Sequence, residues 1–480
     1  MSTQPVIVWL RRDLRLEDNP ALFAARESGA LVIPVYIHDE DEALAPGGAA
    51  RWWLHHSLKA FAEDLRGCGA TLVLRRGDGP SIIKDLVGET GARAVYWNRR
   101  YAPALVGRDK ALKAALKESD VEVFSFNGGL IREPWEITTN SGSFYKVFTP
   151  FWKAVQSQGP ARRDPRAKLR KIKGPTSTPA SDDLDSWSLT PRDPDWAAAF
   201  SETWTPGEDS AQERLKDFLE RAVDNYDDDR NRPDLESTSR LSPHIAFGEI
   251  GPLQIWRTVM EQIDAGAIPE DQGRKFLSEV VWRDFAHVLL FNYDDIQKQP
   301  IRPEFADFPW QDDATALRAW QRGETGYPIV DAGMRQLWQT GWMHNRVRMI
   351  VGSFLVKHLR LEWQEGERWF WDTLVDADMA NNAASWQWVA GCGADAAPYF
   401  RIFNPMTQGE KFDPDGVYTR KFVPELKDIP NKYLQKPWEA PDAILHKAGV
   451  KLGETYPKPI VDHMKARQAA LDAFENIRKN

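Results

Sequence analysis

The sequence predicts an α/β, Rossmann-like parallel-sheet domain followed by an all-α domain. Three observations lead there: short apolar runs alternating with helical patterns through the first 130 residues, a proline-rich basic segment after them, and a helix-only pattern beyond about residue 207. The strand candidates are residues 6–10, 31–37, 71–74, 94–97 and 121–124, with amphipathic stretches such as 50–65 and 108–117 between them. Strands and helices in alternation imply a right-handed parallel sheet. The loop after the first candidate strand reads Arg11-Arg12-Asp13-Leu14-Arg15, and neither the glycine-rich dinucleotide fingerprint nor a P-loop is present. Between residues 157 and 196 six prolines stand against four Leu, Ile or Val, beside the cluster Arg162, Arg163, Arg166, Lys168, Arg170, Lys171 and Lys173. Such a segment reads as a linker, its charges as a solvated tether or as part of a nucleic-acid surface. Apolar residues then recur at 3.6-residue spacing over 211–224, 252–263, 272–291, 330–339, 344–359, 368–374 and 459–477, which predicts helices. The expected organisation is an α/β domain over 1–130, a linker over 131–206 and an all-α domain over 207–480.

Composition excludes several classes of function. With Asp and Glu at 70 against Lys and Arg at 62, the net charge is −8, so no global basic field holds nucleic acid and any such site is a local patch. Cys68 and Cys392 fit no metal or disulfide spacing, which points to a reducing, cytoplasmic compartment. No stretch reaches about 18 uncharged apolar residues, and the opening apolar run is too short for a signal segment, so no membrane partner is expected. The nine histidines form no zinc-type helix, and Asp376 with Asp378 lacks the companions of an octahedral site, so no metal is expected either. The 21 tryptophans exceed what core packing calls for, which implies a use for indoles.

Four segments could carry chemistry. Thr238-Ser239-Arg240-Leu241-Ser242-Pro243-His244 places hydroxyls and an arginine before a helix, where they either cap it or hold an anion such as a phosphate. Glu279, Trp282 and Arg283 share a helix face, as a carboxylate, an indole and a guanidinium presented together or as an intrahelical ion pair beside a core indole. Asn345, Arg348 and Met349 make a second face, from which His344 and Arg346 point away. The third helix is unusually small and polar, with Asp376, Asp378, Asn381 and Asn382 leading to Trp386 and Trp388. Two residues apart is about 200° around a helix, so those two indoles face opposite ways.

Together these segments resemble the photolyase and cryptochrome family. The motifs are Val-Trp-Leu-Arg-Arg-Asp-Leu-Arg (8–15), Thr-Ser-Arg-Leu-Ser-Pro (238–243), Trp-Arg-Asp-Phe (282–285), Gly-Trp-Met-His-Asn-Arg (341–346), Trp-Gln-Trp (386–388) and Asp-Ala-Ala-Pro-Tyr-Phe-Arg-Ile-Phe-Asn-Pro (395–405). The resemblance implies a U-shaped FAD in the helical domain, with Tyr226, Thr238, Ser239, Leu241 and Ser242 around its phosphates. Arg348 paired with Asp376 would lie over the ring, Asp378 at its pyrimidine edge and Asn382 at N5. It further implies that Glu279 and Asn345 meet the bases of a flipped-out pyrimidine dimer in damaged DNA, that Trp282 and Trp388 stack on it, and that Met349 packs beside it. Arg230, Arg283, Arg346 and Arg401 would meet DNA phosphates, and Trp386, Trp363 and Trp310 would pass electrons between flavin and surface, with Trp342 as a further branch. The activity implied is deoxyribodipyrimidine photo-lyase: excited FADH⁻ lends an electron that opens the cyclobutane ring and returns. Wording closest to the bacterial class III photolyases implies a methenyltetrahydrofolate antenna, with 8-hydroxy-deazaflavin as alternative, in a monomer near the nucleoid. The rival reading is a cryptochrome-type blue-light photoreceptor, against which Asn382 stands where plant cryptochromes usually carry Asp.

Overall fold

The computed structural model describes residues 4–39, 45–160, 163, 165–395 and 400–479. The chain divides into two compact units, Met1–Asp224 with Ser239–Asp294 and Val375–Ala380, and Asn225–Thr238 with Asp295–Leu374 and Asn381–Asn480.

The first unit is built on five parallel strands, β1 (Val6–Leu10), β2 (Val32–His38), β3 (Val73–Arg76), β4 (Ala94–Asn98) and β5 (Glu122–Phe126), in the order β3-β2-β1-β4-β5. β1 and β4 are buried throughout, as unbroken apolar runs should be in a parallel sheet covered on both faces. The crossovers are α1 (Pro20–Glu27), α2 (Gly48–Gly67), α3 (Gly79–Thr90) and α4 (Pro103–Glu118). Asn19 caps α1 by accepting from the Leu22 amide, and Asp78 caps α3 by accepting from Ser81. Ile7, Trp9, Ile33, Val35, Val95 and Trp97 form the centre of the core.

The proline-rich segment is not a solvated tether. It runs along β3, where Asp182 N donates to Leu74 O and Leu74 N to Ser181 Oγ, and further back Ile172 N donates to Cys68 O. It thereby covers a sheet edge that would otherwise expose unpaired backbone. Three of its cations are paired, Arg163 with Asp18, Arg166 with Glu27 at 2.6 Å and Lys168 with Asp209 at 2.5 Å, while Arg170, Lys171 and Lys173 are exposed. Arg162 lies outside the described residues. The Arg11–Arg15 motif is likewise structural. Buried Arg15 donates to the carbonyls of Gly248, Asp18 and Gly128, and Leu14 N donates to Phe247 O.

The second unit is helical, with only isolated bridges such as Gln311 to Leu361 among its described residues. The helix expected over 344–359 is split into an α-helix, Asn345–Ser353, and a π-helical turn, Phe354–His358. The indole N–H of Trp320 donates to Val351 O at 3.0 Å, the carbonyl that residue 355 would use in an α-helix. A side chain competing for a ladder carbonyl is a standard origin of such a turn. The last helix begins at His463, later than expected, because Ile460 N donates to Thr325 O and Tyr327 OH to Val461 O, holding the chain out of helix.

Candidate functional site

In the first unit, the turn before the helix Ser242–Phe247 is shaped by Arg240 at φ +50°. The capping explanation for its hydroxyls does not apply: the N-cap position falls to Leu241, and no side chain caps the helix. Leu241 is buried, Ser239 is half-buried with its Oγ accepting from Leu241 N at 3.4 Å, and Ser242 is exposed. His244 is structural, its ring 2.5 Å from Glu249 and edge-on to Trp53.

On the helix Glu270–Asn292, Glu279 is half-buried with Lys275 Nζ at 3.7 Å, so its cation lies one turn back and is not Arg283. Trp282 stacks on Phe148, with ring centroids 3.7 Å apart and planes at 11°, which leaves one indole face for another ring. Arg283 is half-buried, and its Nη1 donates to the Gly129 carbonyl. Asp284, fully buried, accepts from Arg132 N at 2.8 Å and fixes the same stretch of chain.

Burial raises the Asp284 carboxyl to about 7. Its folded value lies above the ordinary carboxylate range, so folding takes up a proton between about pH 4 and 7 and stability falls as pH rises through that window. The loss between pH 5.5 and 8 is about 2 kcal/mol. Asp284→Asn keeps the acceptor for Arg132 N and should remove most of that dependence; urea titrations of both proteins at the two pH values check it.

Asp376 is buried, and Asp378, half-buried, has Oδ2 3.9 Å from His287 Nε2. Burial pulls His287 down to about 4, so the ring is neutral, and its Nδ1–H donates to Arg283 O at 2.9 Å.

In the second unit, Asn382 is buried and its Nδ2 donates to Glu367 O at 2.9 Å. That bond fixes the amide. A carboxamide held through its nitrogen presents its oxygen as an acceptor for an N–H. Trp386 is buried, edge-on to Phe370 at 5.0 Å and to Trp320 at 6.2 Å. Trp320 was not singled out in the sequence, since nothing local distinguishes it. Trp388 faces the other way, half-buried in the wall of a cavity of about 260 Å³ that Arg401 also lines. Trp363 is buried at the start of the helix Trp363–Thr373, and Trp310, half-buried, packs on Phe308 at 4.4 Å.

Asn345 is exposed and Met349 half-buried one turn on. Arg348 Nε donates to Met343 O at 2.8 Å, with its guanidinium 6.0 Å from the Trp342 ring. Arg346 donates to Asn231 Oδ1 at 2.5 Å and lies over Phe412, while Arg230 lies over the buried Tyr226. Thr238 is half-buried and Arg401 exposed; residues 396–399 of the motif before Arg401 lie outside the described residues.

The sequence shows no acidic residue within 97–106, yet Glu133 reaches that segment, accepting from Arg99 Nε at 2.7 Å and from Tyr101 OH at 3.0 Å. At the strand ends, Arg11 pairs with Asp109 and Arg108 with Asp39, and both guanidiniums lie over Trp9 around a small polar recess.

Residues 276–476 match the family model described as the FAD binding domain of DNA photolyase, and residues 6–169 the one described as DNA photolyase. Over 479 residues the chain is 52% identical to the deoxyribodipyrimidine photo-lyase of Agrobacterium fabrum strain C58, covering 100% of this chain and 99% of that protein. The chain belongs to the photolyase and cryptochrome family. Within that family it is similar to a crystal structure of a bacterial class III photolyase from Agrobacterium tumefaciens, with a TM-score of 0.97 and 51% identity over 100% of this chain and 99% of that one. Cryptochrome-1 of Arabidopsis thaliana is 37% identical over 96% of this chain and 69% of its own length. The class III resemblance read from the motifs and the α/β-then-helical photolyase architecture both stand. No helix among the described residues is long and apolar enough to cross a membrane.

Proposed function

We infer that this chain is a light-driven DNA repair enzyme, a deoxyribodipyrimidine photo-lyase that splits cyclobutane pyrimidine dimers. The observation that carries the reading is the full-length 52% identity to a protein of that name. FAD fits the residues present: the Asn382 carboxamide is held through its Nδ2 by Glu367 O, which leaves its oxygen to accept, and Ser239 and Ser242 stand at a helix start that no side chain caps. Tyr226, Thr238, Ser239, Leu241 and Ser242 hold the phosphates, while Arg348, Asp376 and Asp378 position the ring system. Bound reduced FAD supplies, on excitation, the electron that opens the cyclobutane ring and recovers it afterwards.

Asn382 accepts a hydrogen bond at N5 while adding no negative charge beside the reduced cofactor. Glu279 and Asn345 hydrogen-bond the bases of the flipped dimer, Trp388 and the open face of Trp282 stack on it, and Met349 closes the side. A dimer already pairs and stacks poorly, which lowers the few kcal/mol that flipping costs. Arg230, Arg283, Arg346 and Arg401 meet backbone phosphates and set register without reading the lesion. Trp386, Trp363 and Trp310 would relay electrons from a reductant at the surface to the cofactor. Methenyltetrahydrofolate is the proposed antenna, with 8-hydroxy-deazaflavin the alternative that chromophore release and absorbance would reveal. The enzyme works as a monomer, in the cytoplasm where its DNA lies.

Glu279→Ala should weaken repair by about 1–3 kcal/mol through an unpaired base edge while FAD content stays unchanged. Repair rate and the flavin-to-protein absorbance ratio, measured on one preparation, check both halves. The cryptochrome relatives favour a photoreceptor as second reading. Light-dependent loss of dimers from thymine-dimer DNA decides between them, and a purified protein with visible flavin absorbance but no such loss would select the photoreceptor.

A further inference from the structure

We propose that the cavity of the helical unit lined by Arg302, Lys357, Arg401 and Arg478 is a phosphate-binding site, occupied by a backbone phosphate of the DNA strand. The phosphate chemistry stands on the cavity; the DNA source rests on the repair function proposed above.

The cavity holds about 260 Å³, several times the roughly 30 Å³ share of one liquid water. Its four cations come from separate parts of the sequence: the segment before Pro303, the π-helical turn, the chain after residue 400 and the last helix. Lys357 is buried at 2% exposure, its Nζ donating to Arg401 O at 2.9 Å and standing 3.8 Å from the Phe400 ring centre. Arg302 is balanced by Glu304, at 2.9 and 2.6 Å. Among the described residues no carboxylate pairs with Lys357, Arg401 or Arg478. The last two instead lie over Phe403 at 4.7 Å and Phe474 at 5.8 Å. Aromatic faces hold cations but cancel no charge. Converging like charges around a space large enough for a tetrahedral anion are stabilised by one entering it. Phe400, Phe474 and Trp388 give the remaining wall an apolar character that suits the sugar next to a phosphate.

Burial pulls the Lys357 amine down to about 7. The groups around it do not reverse this. The Cys392 thiol is pushed up to about 12 and stays neutral, His358 is pulled down to about 3, and Arg302, Arg401 and Arg478 are cations. An anion in the cavity restores the charge, so binding takes up a proton and affinity falls by up to about tenfold per pH unit above 7.

The test uses the full chain in two arms. In the first, thermal unfolding is followed with inorganic phosphate and with chloride at equal ionic strength. The unmodified protein should be stabilised by phosphate more at pH 6.5 than at 8.5, and Lys357→Met and Arg478→Ala should lose that stabilisation. In the second, affinity for duplex DNA is measured against salt. Arg478→Ala, at an exposed position, should lower the slope of log K on log salt by about 0.9 for damaged and intact DNA alike. A phosphate response without a change of slope would overturn the DNA source and leave a site for free phosphate. No phosphate response in the unmodified protein, together with an unchanged slope in Arg478→Ala, would overturn the site itself. DNA binding that fails in the unmodified protein while phosphate still stabilises it would count against the repair function and not against the cavity.

Discussion

Trp386→Phe should reduce photoreduction of the oxidised flavin by about a hundredfold or more, because about 2.7 kcal/mol added to the electron-transfer step is enough for that factor and a phenyl ring is far harder to oxidise than an indole. Phe370 and Trp320 frame the site, and a phenyl ring in it leaves both packed against an aromatic face. Repair by protein reduced chemically beforehand should persist, since returning the electron from product to cofactor needs no relay. Transient absorption after a blue pulse gives the first rate and loss of dimers under anaerobic light the second. Normal photoreduction in this variant would place the entry point at another indole.

Gly366→Ala should destabilise the protein by about 3 kcal/mol, at the upper end of overpacking costs, and should displace the indole of Trp386. A methyl at Gly366 would stand within 2.5 Å of Cζ2 and Cζ3 of Trp386 and closer still to Cη2. In an open helix the same change gains roughly 1 kcal/mol, because glycine is a poor helix former. Gly88, within α3, has nothing within 4 Å of the corresponding position, so Gly88→Ala should stabilise. Opposite signs at two helical glycines, read by urea unfolding, separate the indole's cradle from propensity. A photoreduction rate that falls in Gly366→Ala alone would tie that cradle to electron transfer.

What lies within one or two turns of chain was legible in the sequence. The five strands appear there as apolar runs, shifted by at most two residues in the structure, because burial on both sides of a parallel sheet demands such runs wherever the strands pair. Trp386 and Trp388 facing opposite ways follows from helical periodicity alone. The family motifs were equally local, each a few residues long. Other features required segments far apart in sequence to meet. The π-helical turn depends on Trp320 reaching Val351, the acid at Arg99 and Tyr101 arrives from Glu133, and the cations around Lys357 converge from positions 302 to 478. Gly366 reads as a weak spot in a helix until Trp386 is packed against it. The sequence by itself determined the periodicities, hence the elements and the faces they present, because these arise from backbone geometry repeated every two or 3.6 residues. Only the tertiary structure decided which charges are paired, which carbonyls are taken and which glycines are obligatory, because those depend on distances between residues whose separation along the chain carries no geometric information.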